Sequence, residues 1–289
     1  MYEHTVIIFA AILSASIFCQ WLAWRIKLPA IIFLLTAGVL AGPILGVLHP
    51  DKLLGELLFP FVSLAVAVIL FEGSLTLKFR QILNLQVVVR NMLTFGLMVT
   101  WVITAVTTRL VLGLGWELCF LFGAITVVTG PTVIVPMLRT VRPTATVANI
   151  LRWEGIVIDP IGAALALLVY EFIIAGGTGE ALGRTILTFA RINGSGLLLG
   201  ALCGYLFGLV MRLHWLPEFL HNVTSLGLVF AVFALANYFQ PESGLMAVTV
   251  MGIWLANMKD VAMEDILDFK ESLSILLISF LFIILAARL

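Results

Sequence analysis

Residues 152–160 read Arg152-Trp153-Glu154-Gly155-Ile156-Val157-Ile158-Asp159-Pro160, inside an apolar run from Thr146 to Ile174. A run of that length crosses a bilayer, whose hydrocarbon core of about 30 Å takes roughly 20 helical residues. Asp159 lies thirteen residues from one end of the run and fifteen from the other, near the membrane midplane. Ionisable groups at that depth cost about 2.5–3.5 kcal/mol or more and mark pathways by default. Desolvation disfavours the charged form, so such a carboxyl can trade a proton for a metal cation. The bland alternative is that Asp159 only pairs with a buried Arg or Lys. Glu154 is five residues earlier, about 7.5 Å along the axis and rotated by roughly 140°, so the two carboxylates face different neighbours. Glu154 reads as structural.

Proline adds to the pattern. Pro160 has no amide hydrogen, so the Ile156 carbonyl beside Asp159 loses its helical partner. In the preceding run, Thr126-Val127-Val128-Thr129-Gly130-Pro131-Thr132-Val133-Ile134-Val135-Pro136 places a Gly-Pro pair at mid-membrane. Pro131 frees the carbonyl of Val127 and Pro136 that of Thr132. Thr126, Thr129 and Thr132 recur every three residues and can offer oxygens on one face. An interrupted helix at the midplane is a transporter device for binding ions, whereas a lone kink satisfied by neighbouring helices is the alternative. The Asp-Pro in the next run favours the site.

The rest of the chain supports a membrane setting. Of 289 residues, 62% are hydrophobic and 11% charged, and the mean hydropathy is +1.17; a soluble domain is about a quarter charged. Sixteen basic and sixteen acidic residues cancel, so no polybasic field points to nucleic acid. Cys19, Cys119 and Cys203 lie in separate apolar runs and suggest neither disulfides nor zinc. Ten spans are expected, at 6–24, 29–48, 57–75, 87–110, 117–138, 146–174, 192–212, 223–239, 243–257 and 272–289, the ninth being short. Residues 1–4 carry no basic segment or cleavage site, so the first span reads as a retained helix rather than a signal peptide.

Eleven basic residues follow odd-numbered spans, from Arg25 and Lys27 to Lys259 and Lys270. Four (Lys52, Arg109, Arg184, Arg191) follow even-numbered ones, and Arg288 ends span ten. The positive-inside rule then puts the N-terminus outside. The chain stops at Ala286-Ala287-Arg288-Leu289 just after an apolar run, an ending that suggests a longer protein.

Other candidates are weaker. Glu72 sits near the inner end of span three and reads as structural; Glu171 is interfacial. His4, His49, His214 and His221 fall in loops or helix ends without metal-ligand spacing. Gly194-Ser195-Gly196 begins the seventh span and lacks the form of a nucleophile elbow. Gly38, Gly42 and Gly46 make a small-residue face suited to close helix packing.

Taken together, Leu70-Phe71-Glu72-Gly73-Ser74, Thr129-Gly130-Pro131-Thr132 and Glu154-Gly155-Ile156-Val157-Ile158-Asp159-Pro160 resemble the monovalent cation-proton antiporters of the sodium-proton exchanger type. The resemblance implies an all-α polytopic membrane protein of inverted-repeat fold with discontinuous helices, its second repeat incomplete here after about ten helices. Residues 1–289 form one transmembrane transporter domain. Within it, residues 87–174 belong to the moving core, and the others mostly to a scaffold and dimer surface.

The same resemblance implies a homodimer that exchanges protons for Na+, K+ or Li+ across a bacterial-type inner membrane, without a cofactor and without enzyme chemistry. It makes Asp159 the carboxylate that binds proton or cation, with Thr129 beside the cation. Thr126, Gly130, Pro131, Thr132 and Pro160 support the site, and Glu154 partners an arginine on a later helix. Two departures stand out: Ile158-Asp159 replaces the common Asn-Asp pair, and Thr129-Gly130-Pro131 replaces Thr-Asp-Pro. Gly155 also lacks a hydroxyl that some relatives have. Fewer oxygen ligands leave selectivity open, and one carboxylate at the site implies electroneutral one-for-one exchange. The competing reading is a cation channel, or a membrane sensor coupled to a cytoplasmic domain.

Overall fold

The computed structural model describes residues 2–83, 85–176, 179–259 and 264–289. The side chains of 2–5, 131, 135, 136, 139, 140, 179–182, 218 and 264–271 are outside the description. All regular secondary structure among these residues is helical. In order come α1 (Tyr2–Ile26), α2 (Ala30–Val39, extended by a π turn over Leu40–Ile44), α3 (Pro50–Leu54), α4 (Leu58–Leu75), α5 (Gln86–Asn91) and α6 (Leu97–Leu112). Then follow α7 (Trp116–Thr126), α8 (Pro131–Val141), α9 (Ala145–Ile174), α10 (Gly179–Arg212), α11 (Glu218–Phe239), α12 (Ser243–Asn257) and α13 (Glu264–Ala287).

Ten expected spans map onto these helices, with α5 and α6 joined by a π turn as one span and α7 with α8 as the broken one. Span seven is corrected. Its helix begins at Gly179, not Ile192, because Arg184 and Arg191 are tolerated on a long helix that outreaches the hydrocarbon slab. Gly194-Ser195-Gly196 is therefore mid-helix, and the Ser195 hydroxyl bonds back to the Ile192 carbonyl at 3.2 Å.

Many large apolar side chains face outward, among them Ile17, Trp24 and Leu110. In water that surface would aggregate; in lipid it is the solvated face. Packing instead relies on small residues that let backbones approach, since lipid tails remove the hydrophobic drive between helices. In α2, Gly38 and Gly42 meet the backbone of α13 at Ile283 and Ala287. Gly46 has left the helix in a positive-φ turn (φ 62°). A second stripe escapes the reading above: Gly196, Gly200, Gly204 and Gly208 of α10 recur every four residues. They receive α12 at Met246, Ala247, Met251 and Met258.

The helices segregate into two packed groups. One core joins α4, α10, α11 and α12 around Phe71, Met251 and Leu255, continuous through α4 and α13 with a cluster holding α1 and α2. The other joins α6, α7 and α9 around Leu97, Ala124 and Ile158. The turn between α4 and α5 passes from one group to the other, and Asn257 at the end of α12 pins it. Its Nδ2 donates to the Leu77 carbonyl at 2.8 Å, and its Oδ1 accepts from the Phe79 amide at 2.7 Å.

The two glycine classes separate in a stability measurement. Gly200→Ala drives a β-carbon into the Ala247 backbone and lowers stability by about 1–3 kcal/mol. Gly227→Ala on α11 meets nothing and raises it by about 0.5–1 kcal/mol. Thermal unfolding in detergent reads both, and equal shifts would contradict the packing described.

Candidate functional site

The site is built on the break between α7 and α8. Helix α7 ends at Thr126, the chain unwinds through Val128 and Thr129, and α8 starts at Pro131. Gly130 caps α8 with φ 59° and ψ 136°, a region essentially open to glycine alone. Pro131 at the first helical position costs no hydrogen bond, since its missing amide would be unpaired there anyway. The break thus sets two helix ends face to face: the carbonyl end of α7, partly negative, and the amide end of α8, partly positive.

Helix α9 crosses this break without interruption, continuous through Pro160. Two of its glycines are sockets for the broken helix. Ile134 of α8 lies against Gly155, with its Cγ1 3.1 Å from where a β-carbon would stand, and Val128 of the unwound segment fills the place beside Gly162. Those contacts, one on either side of Asp159, bring the break onto α9.

Asp159 is half-buried. Its Oδ1 lies 3.8 Å from the position a β-carbon of Gly130 would take, and the Thr132 hydroxyl lies 3.7 Å from the same point. The carboxylate, the Thr132 hydroxyl and the unwound backbone therefore share one locus at the break. Among the described residues no Arg or Lys pairs with Asp159.

The other expected residues divide. Thr129 does not turn its hydroxyl to Asp159: it donates to Glu154 Oε1 at 2.9 Å, one turn and a half earlier on α9. Glu154 is buried, with 5% of its surface exposed, so this bond satisfies a group that would be costly alone. Thr126 returns its hydroxyl to its own helix, bonding the Phe122 carbonyl at 2.8 Å and the Gly123 carbonyl at 3.3 Å. Of Pro131 the backbone is described, and it begins α8; Pro160 is buried within α9. The socket glycines, Gly155 and Gly162, were not singled out as packing elements, although their seven-residue spacing was visible in the chain.

The comparisons agree with this architecture. A family model described as "Sodium/hydrogen exchanger, transmembrane" matches residues 10–289. This chain belongs to the sodium/hydrogen exchanger family. It is thus a transporter-family membrane protein and not an enzyme. The chain is 25% identical over 288 residues to the Na(+)/H(+) antiporter 1 of Methanocaldococcus jannaschii, covering 92% of this chain and 64% of that protein. It is 27% identical over 283 residues to the probable Na(+)/H(+) antiporter 2 of the same organism, covering 92% and 65%.

This exchanger-family chain therefore spans about two thirds of the length of those relatives. The structure of the sodium proton antiporter MjNhaP1 from M. jannaschii at pH 8 superposes with a TM-score of 0.85 at 22% identity, covering all of this chain and 71% of that one. An electron-microscopy map of the same antiporter gives 0.85 and 70%. The all-helical multi-pass fold expected from the sequence is thus the fold found.

Two substitutions probe the site's construction. Gly130→Ala has room but is forced into a glycine-only conformation, which costs about 1–3 kcal/mol. Thr129→Val removes the donor to Glu154 and costs about 1–3 kcal/mol. Combining it with Glu154→Gln is non-additive. A double-mutant cycle on unfolding midpoints that sums without coupling would contradict the bond.

Proposed function

We propose that this protein is a secondary active antiporter that exchanges protons for a monovalent cation, with Asp159 binding each in turn. The observation that carries the reading is the placement of Asp159 Oδ1 beside Gly130, at the break of α7 and α8. A carboxyl there has oxygen partners for a dehydrated cation in the Thr132 hydroxyl and in carbonyls released by the unwinding. The Thr129 backbone carbonyl lies in that segment, so Thr129 serves the cation through its main chain while its hydroxyl holds Glu154.

Coupling follows from competition. An ionised Asp159 attracts the cation, and a protonated one releases it. If crossing is permitted only with one or the other bound, the two fluxes are locked together. With one carboxylate engaged, the exchange is one for one and moves no net charge. Sodium leads among Na+, K+ and Li+, since both curated relatives are named for sodium and proton exchange. Supporting roles fall to Glu154, Thr132, Gly130, Pro131 and Pro160, and Thr126 belongs to the α7 end.

The α5–α9 group acts as the moving core and the remainder as scaffold, in a homodimer with its N-terminus outside the cell membrane. Asn257, which holds the connecting turn, sits where the two would flex. Such an exchanger serves pH homeostasis.

The test is transport by the whole protein in liposomes under an imposed pH gradient, with sodium, potassium or lithium added in turn. One cation dissipates the gradient, Asp159→Asn abolishes that response, and clamping the membrane potential leaves the rate unchanged. A conductance without proton movement would instead indicate the channel or sensor. Charge movement scaling with turnover would refute one-for-one exchange.

A further inference from the structure

Residues 77–82, in the turn that carries the chain from α4 to α5, belong to both helix groups at once. Their backbone is bonded to α12. The Asn257 carboxamide meets the two backbone groups that flank Lys78: Nδ2 donates to the Leu77 carbonyl at 2.8 Å, and Oδ1 accepts from the Phe79 amide at 2.7 Å. Nδ2 also donates to the Ile253 carbonyl of α12, again at 2.8 Å, which ties the side chain to its own helix. Lys78 is extended, with φ −92° and ψ 122°. The hydrogen bonding of α4 has ended there, and the carboxamide takes its place.

Side chains of the same turn go the other way. Leu77 and Ile82 are buried in a cluster with Val89 of α5 and with Trp153 and Ile156 of α9. Phe79 packs on Trp153, ring centroids 5.4 Å apart and planes at 31°. Both rings line a cavity of about 810 Å³ that opens between α9 and the α10–α12 pair, so the two groups have room there to change their spacing. Trp153 is six residues from Asp159 on one unbroken helix, roughly 9 Å along its axis. A displacement at Trp153 therefore reaches the carboxylate as rigid movement of α9.

The two attachments answer differently to movement. Hydrogen bonds are directional and weaken steeply when misaligned, whereas apolar contact has no preferred direction. When the groups shift, slip occurs between Phe79 and Trp153, and the backbone of the turn stays with α12. Hinges are of this kind: a few loop or element-terminal residues, far from the chemistry, that absorb the change in dihedrals. We propose that Asn257 is a positioning residue for cation-proton exchange, holding residues 77–82 on α12 as the fixed pivot on which α9, and Asp159 with it, changes position. This role rests on the exchange reading above and adds to it a residue that governs the rate without touching the cation.

The test compares sodium-driven exchange in liposomes, expressed per folded copy of the whole protein, with proton release on sodium addition in detergent, for wild type, Asn257→Leu and Asn257→Asp. Leucine removes all three bonds at similar size; aspartate keeps the acceptor for Phe79 and loses both donors. Turnover falls about tenfold in Asn257→Leu, the effect of one lost hydrogen bond of this kind on the balance between two arrangements, and it falls in the same direction in Asn257→Asp. The sodium concentration for half-maximal proton release stays at the wild-type value, because Asp159 and the break are untouched. A purely structural role would lower the amount of folded protein and leave each copy at the wild-type rate. That result would overturn the proposal, as would a half-maximal sodium concentration that shifts in step with the rate. Wild type that exchanges nothing is a different failure, that of the exchange reading itself. Should neither variant accumulate, amide hydrogen exchange on wild type decides: residues 77–82 keep their protection while sodium changes the protection of α9. Loss of protection in 77–82 on adding sodium, or an unchanged α9, overturns the pivot.

Discussion

The arrangement depends on how closely a broken helix can lie across an unbroken one. Gly155 and Gly162 remove side chains from α9 at two points one heptad apart, and Ile134 and Val128 occupy the space. Asp159 lies between them. A β-carbon at either glycine would lift the break off α9 and move the carboxylate away from the unwound backbone. The sockets also explain why α9 is the continuous partner. It passes through Pro160 without breaking, because the helix already leans against neighbours that hold it in place.

Polar groups buried in a membrane protein have to find partners inside it, and that constraint sorts the residues around the break. Glu154 takes the Thr129 hydroxyl; Thr126 takes carbonyls of its own helix. Asp159 is the carboxylate left facing the gap between the helix ends. The division of labour between two acidic residues five apart follows from their angular separation on one helix. One faces the unwound strand near Thr129 and the other faces the cap at Gly130. Gly130 in turn suits its place at the cap of α8, since its φ and ψ would strain any other residue.

Much of this was legible in the chain. Long apolar runs gave ten spans because a bilayer demands a minimum length, and Gly130-Pro131 signalled the break because both residues oppose helix continuation. Asp159 stood out by depth alone. What was not legible depended on contacts between distant helices. Thr129 was expected beside the cation through its carbonyl or its hydroxyl, and the structure shows the hydroxyl bonded to Glu154, a choice that sequence spacing does not reveal because it does not say which face an unwound segment turns inward. The start of α10 was placed at Ile192 because charged residues ahead of it looked like a loop, whereas a long helix carries them beyond the hydrocarbon. The four-residue glycine stripe of α10 was present in the letters; its partner, α12, required the fold.

Exchange as proposed here requires that one carboxylate at the helix break, Asp159, be shared between proton and cation. Proton release on cation addition measures that sharing without any membrane or gradient. Purified protein in weakly buffered detergent solution is titrated with sodium, potassium or lithium while free proton is followed. Sharing of Asp159 predicts release of a single proton per chain by the transported cation, absent in Asp159→Asn and retained in Thr126→Val. Cation binding without proton release, or release that persists in Asp159→Asn, would contradict it.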